Sequence, residues 1–179
     1  MAGLAPERRS APVEVRARGR RLEGYAALFG VRARIGTTDE EIRQGAFAGS
    51  LTARQDILAL VDHDPSRLLA RTRSGTLRLS QDSTGLAFDL DVPDTTEGRD
   101  ILALAERGDL GGMSFGFNVP PGGESRANGV RQLERVNLHE ISIVKAWPAY
   151  EGTVVTARSK QAERLMRIAH ARLYLEALA

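Results

Sequence analysis

The sequence predicts an α+β fold: a small, mostly antiparallel β-barrel of about seven strands, with surrounding helices and a C-terminal helix. Three observations predict it. Apolar segments with period-two alternation crowd together at short spacing. The helical segments among them do not recur between successive strands, as a doubly wound parallel sheet would require. The chain has 179 residues, 42% of them hydrophobic and 27% charged, which leaves room for one core and little for a second.

Residues 1–11, with Pro6 and a charged stretch ahead of Pro12, read as a flexible N-terminal tail; residues 12–156 read as the folded domain and 157–179 as a terminal segment. Val13 and Val15, then Leu22, Tyr25, Ala27 and Phe29, punctuated by Gly24 and Gly30, give two short strands, and Val31 to Ile35 allows a third. Gly45 to Arg54 puts Phe47 and Leu51 on one helical face behind the acidic Asp39, Glu40 and Glu41. Asp56 to Asp62 is an apolar run bounded by charge, the pattern of a strand buried on both faces. His63-Asp64-Pro65-Ser66 has the composition of a turn, and Ser74-Gly75 that of a hairpin turn into Leu77 and Leu79.

Leu86, Phe88 and Leu90 alternate with Asp89 and Asp91 as a half-buried strand does. Asp94-Thr95-Thr96-Glu97 supplies an N-cap signal, Ile101, Leu102, Leu104 and Ala105 keep helical spacing, and Gly108 stops the helix. Leu110 to Val119 reads as a glycine-rich strand closed by Pro120-Pro121-Gly122-Gly123. A polar loop follows, then strands at Val130 to Val136 and Leu138 to Ala146, and an amphipathic helix over 157–178 through Leu165, Ile168 and Leu175.

Composition narrows the chemistry. No run of about eighteen apolar residues exists to span a membrane as a helix, and the Arg-rich N-terminus leads into no apolar signal core. Without cysteine there is no disulfide framework, thiolate zinc site, iron–sulfur cluster or cysteine nucleophile. The pI is about 9.4, yet the cations are almost all arginine, Lys145 and Lys160 excepted, and no basic run interleaves with aromatics; nucleic acid is not an expected partner.

Gly112-Met113-Ser114-Phe115-Gly116 matches G-x-S-x-G, the nucleophile elbow of α/β-hydrolases, which would make the chain a lipase-type hydrolase. That elbow needs a helix directly after the serine, whereas Phe115 to Gly123 offers two prolines and several glycines. Ser114 therefore sits on a strand, sharing a face with Gly116 while Met113, Phe115 and Phe117 take the other. Such a serine either relieves crowding between strands or meets a substrate. His63, just past the buried strand and flanked by Asp62 and Asp64, is either structural or a base. His63-Asp64 also imitates a metal phosphohydrolase signature, with too few further ligands to complete one. In Leu138 to Tyr150, strand parity separates His139, Ile141 and Ile143 from Leu138, Glu140 and Ser142, so His139 and Glu140 cannot both point at one site. Ile141 and Ile143 look core-facing, which sends the Glu140 face elsewhere.

Taken in order, G-Y-A-A-L-F-G, E-I-R-Q-G-A-F-A-G-S-L, L-V-D-H-D-P-S-R-L-L-A-R, L-A-F-D-L-D-V-P-D-T, R-G-D-L-G-G-M-S-F-G-F and H-E-I-S-I-V resemble the prohead serine protease family of tailed bacteriophages, over roughly Arg20 to Val155. The resemblance implies a fold similar to herpesvirus assemblin proteases. It implies a serine endopeptidase that cuts scaffold, or the N-terminal scaffolding segment of the major capsid protein, inside the immature procapsid in the host bacterial cytoplasm. The family's histidine falls on His63, its nucleophile on Ser114, and its third member on Glu140 with His139 as rival. His63 would take the Ser114 proton, Glu140 would fix the imidazole, and backbone N–H groups near Gly111-Gly112 are candidate oxyanion donors. No cofactor or metal is required, no membrane is involved, and assembly of several copies is open. The alternative is an inactive assembly protein with the same barrel.

Overall fold

The computed structural model describes residues 6–146 apart from Pro12, Glu14 and Arg54. The expected helix over 157–178 lies outside them.

Among the described residues, the chain folds as thirteen strands and two helices: β1 (Glu7–Ala11), β2 (Val15–Arg18), β3 (Arg21–Leu28), β4 (Arg32–Ile35), β5 (Thr38–Ile42), α1 (Ala48–Thr52), β6 (Leu58–Val61), β7 (Asp64–Arg71), β8 (Leu77–Gln81), β9 (Gly85–Asp91), α2 (Thr96–Arg107), β10 (Gly112–Asn118), β11 (Glu124–Ala127), β12 (Val130–Leu133) and β13 (Asn137–Val144). The strands form three open sheets, ordered β1-β10-β13-β6-β7, β11-β12-β5-β4 and β2-β3-β9-β8. The barrel of about seven strands is thus replaced by three unclosed sheets. The mostly antiparallel character holds, with parallel pairing only at β13·β6 and β12·β5. No helix among the described residues is long and apolar enough to cross a membrane.

The well-patterned elements form as the sequence dictates. In β9, Leu86, Phe88 and Leu90 are buried while Ala87, Asp89 and Asp91 alternate outward. Helix α2 is capped by Thr95, one residue after Asp94, whose side chain accepts from the Gly98 N–H at 3.1 Å; it ends at Gly108 in the left-handed conformation, with φ of 72°. Ile101 anchors its inner face. Glu97 in its first turn accepts from Arg67 of β7 and pairs with Lys145.

The weakly patterned segments differ from expectation because pairing, not periodicity, makes them strands. Residues 7–11, expected in a flexible tail, form β1 along the edge of β10. Asp39, Glu40 and Glu41 belong to β5 rather than to a helix entry, and part of the expected polar loop, residues 124–127, is β11. The His63 to Ser66 turn contracts to Asp62-His63, since Asp64 already opens β7.

The core runs beneath β10. Phe29, Phe47, Phe115 and Phe117 form a chain of ring contacts with centroids 5.2–6.0 Å apart. Short helix α1 is pinned against this core by Phe47, fully buried at its start, and by Ser50, which donates to the Val136 carbonyl and accepts from Leu138 N–H. Truncating one such ring would cost about 3–5 kcal/mol. The opposite face of β10 carries Ser114.

Candidate active site

Three neighbouring strands of one sheet assemble the site. In β10, Ser114 stands directly across from Ser142 of β13, and Gly116 across from Glu140, so these four residues share a sheet face. The register then slips: Phe117 pairs with Leu138, leaving His139 as the extra residue of a β-bulge. The parity expectation holds for Glu140, which shares the face of Ser142 and Ser114 while Ile141 and Ile143 are buried, and fails at Leu138: beyond the bulge it is fully buried opposite Phe117 in the core, although simple alternation had grouped it with Glu140. His139 is exposed.

On the other side of β13, parallel strand β6 delivers His63. The hairpin from β6 to β7 closes through Asp62 and His63, at φ of 50° and 61°, the left-handed geometry that two-residue primed turns demand. Asparagine and glycine are the usual occupants of such turns, so non-glycine residues here hold local strain. Asp62 secures the turn: its N–H donates to Ile143 carbonyl, one carboxylate oxygen accepts from Lys145 N–H and the other from Arg67.

The turn brings His63 against Glu140. Nδ1 lies 2.7 Å from Glu140 Oε1. Ser142 Oγ donates to Glu140 Oε2 at 2.6 Å and accepts from the His63 N–H at 3.2 Å, so one hydroxyl ties both the carboxylate and the histidine backbone. A carboxylate on Nδ1 makes that nitrogen the donor and leaves Nε2 as the acceptor. Nε2 is buried and has no hydrogen-bond partner, while the whole imidazole is only 9% exposed. Gly116 makes room for the pair, since a Cβ there would fall inside contact distance of Glu140 Oε1.

Ser114 is fully buried, and its Oγ donates to the Arg9 carbonyl of β1 at 2.8 Å, not to His63. Arg9 in turn pairs with the buried Glu40 at 2.6 and 2.8 Å and lies 5.3 Å above the Phe117 ring. The Gly111 N–H donates to Val144 carbonyl and is therefore spent as an oxyanion donor; a Cβ at Gly111 would collide with the Ala146 carbonyl. Among the described residues no group of three His, Cys, Asp or Glu could hold a metal ion.

No helix follows Ser114, which lies in the third position of a seven-residue strand ending at Asn118 and leading to Pro120-Pro121. The elbow reading of G-x-S-x-G is overturned by this. A scan of family profiles matches the caudovirus prohead serine protease family over residues 10–167. The chain belongs to that family. No curated protein and no solved structure matches it.

Of the residues expected at the site, the structure brings His63 and Glu140 into direct contact and places Ser114 on the adjoining strand, on the same sheet face as Glu140. Sequence reasoning missed three participants. Ser142 was visible as the i+2 neighbour of Glu140 on a strand, but its bonds depend on the turn that presents His63. Arg9 and Glu40 carried no signal, because their strands are defined only by pairing.

Proposed function

We propose that the chain is a serine endopeptidase of capsid maturation, with Ser114 as nucleophile, His63 as general base and then acid, and Glu140 as the group that orients the imidazole. One observation carries this reading: Glu140, on the strand next to the one that bears Ser114, holds Nδ1 of His63 and leaves Nε2 buried and unpartnered. A serine hydroxyl needs such an acceptor to attack an amide at neutral pH. His63 takes the Ser114 proton as the acyl-enzyme forms and returns it to the leaving amine; water then repeats the cycle to release the acyl product. Glu140 stabilises the imidazolium in between. Membership of the prohead serine protease family supports a substrate of capsid assembly, either scaffold or the scaffolding segment of the major capsid protein, met within the procapsid in the bacterial cytoplasm. An assemblin-like relationship of fold remains part of this proposal.

A second reading, an inactive assembly protein, draws on the closure of Ser114 under β1 and its bond to the Arg9 carbonyl. Co-expression with the capsid protein of the same particle separates the two. A shortened capsid band forms with the native chain; in Ser114→Ala and His63→Ala the cleavage rate falls at least about a thousandfold, and in Glu140→Gln by less. A band of unchanged intensity in both first variants removes the assignment, and no band with the native chain supports the inactive relative. Ser114→Ala forfeits one buried hydrogen bond, worth about 1 kcal/mol, so its melting temperature stays within a few degrees of the native chain.

A further inference from the structure

Three features around Ser114 have no role in the proposed triad: a strand that covers it, a buried carboxylate holding the arginine of that strand, and a groove continuing the strand's path. β1 pairs antiparallel with β10, with Ser10 opposite Ser114 and Arg9 opposite Phe115. Its Arg9 carbonyl is the acceptor of the Ser114 hydroxyl. A peptide strand with one carbonyl on the nucleophilic oxygen occupies the place that an extended substrate needs, and an edge strand is exchangeable for another chain through the same backbone hydrogen bonds. The Arg9 guanidinium enters a site formed by Glu40, only 4% exposed, with the Phe117 ring beneath it and Glu7 beside it. Past Glu7 the path opens into a groove of about 590 Å³ lined by Asn118, Val119, Pro120 and Arg131.

We infer that β1 stands in for substrate: the substrate peptide takes its place as an antiparallel strand on β10, and Glu40 selects a basic residue, arginine above all, on the N-terminal side of the cleaved bond. The carbonyl of that residue meets Ser114 as the Arg9 carbonyl does, its guanidinium takes the two carboxylate oxygens of Glu40, and upstream residues follow the groove. β1 must leave β10 for this to happen, which makes the segment a competitor of substrate as well as its mimic. Bidentate, ring-stacked recognition of this kind favours arginine over lysine and rejects neutral isosteres.

This inference rests on the proposed peptidase activity, and the test keeps the two apart. Peptides of one framework, differing only in Arg, Lys, Gln or Glu before a common serine, are incubated with the full-length chain alongside the capsid protein, and cut sites are read by mass spectrometry. The expected result is cleavage after arginine at least about tenfold faster than after glutamine, a ratio that collapses towards unity in Glu40→Gln. A second variant, Arg9→Gln, leaves Glu40 in place and weakens the competitor; labelling of Ser114 by a fluorophosphonate then becomes several-fold faster than in the native chain. Cleavage of the capsid protein after non-basic residues, an arginine preference that survives in Glu40→Gln, or unchanged labelling in Arg9→Gln each overturns the inference while the peptidase stands. Absence of cleavage of every substrate by the native chain overturns both.

Discussion

Strand β10 has neighbours of opposite construction on its two sides. Towards β13 the contact is uncharged or apolar along most of its length: Met113, Phe115 and Phe117 are buried with Ile141, Ile143 and Leu138, and the polar groups on the other face are joined by short hydrogen bonds among His63, Glu140 and Ser142. Towards β1 the neighbour is a five-residue strand, half-buried except at Arg8, held by ion pairs in which Glu7 and Glu40 meet Arg9 and Arg131, and Arg131 also pairs with Glu124. Packed apolar contact fixes a geometry to fractions of an ångström, whereas an edge strand held by its backbone ladder and by ion pairs can be exchanged for another chain that offers the same groups. The β13 side is thus suited to holding His63 at a constant distance from Glu140, and the β1 side, on the inference drawn above, to admitting a competing strand.

Three perturbations sharpen this contrast. The largest effect is expected from Gly116→Ala, which thrusts a methyl group at Glu140 Oε1 and must turn the carboxylate off His63. Displacement of about 1 Å at a proton-transfer site costs about a hundredfold in rate, so cleavage of the capsid protein should fall by that order while circular dichroism keeps its strand signature. A native rate in this variant would show that the Glu140–His63 contact is not what organises the site.

Ser142→Ala removes the hydroxyl that joins Glu140 to the His63 backbone. The atoms of the proposed triad remain, so the expected loss is about fivefold to tenfold, the rate equivalent of one hydrogen bond of about 1 kcal/mol. The loss should fall on kcat with KM little changed, whereas a purely structural role for Ser142 would lower the melting temperature and leave the rate of the folded chain in place.

The smallest perturbation is acidification, which should open one side before the other. The hydrogen bond from Arg131, aided by one from Arg9 and opposed by burial, holds the Glu7 carboxyl below the usual carboxylate range. A folded-state value below the unfolded one means that Glu7 contributes stability in full above the ordinary range, near pH 4, and loses it as the pH falls through its depressed value. Amide exchange followed through that window should show β1 losing protection while β13 keeps its own; simultaneous loss along both strands would contradict the division drawn between them. Arg9 loses no charge here, since acid favours the protonated form of a guanidinium.

The legibility of the sequence divides along the same line. β9, α2 and the buried β6 announce themselves by alternation, by caps and by an apolar run, because each depends on contacts made by residues adjacent in sequence. The rejection of a hydrolase elbow at Ser114 likewise needed only the glycines and prolines that follow it. β1, β5 and β11 are polar and charged and lack the alternation that marks β9. β11 and β12 close locally through Asn128-Gly129 and β4 and β5 through Gly36-Thr37, whereas β1 and the second edge of β5 find partners only when β10 and β12 arrive from elsewhere in the chain.

By itself, the sequence determined the mainly antiparallel strand content, the seat of Ser114 on a strand, the position of His63 just after a buried strand, and the motifs that place the chain in its family. Only the tertiary structure decided that three sheets stay open instead of closing into a barrel. It also decided that the turn after β6 sets His63 against Glu140, that a bulge at His139 turns Leu138 into the core, and that the Arg9 carbonyl lies on the serine hydroxyl. Alternation and capping are short-range properties that a chain carries with it; register, bulges and edge pairing join residues as much as a hundred and five positions apart, and their energy exists only once the distant strands have met.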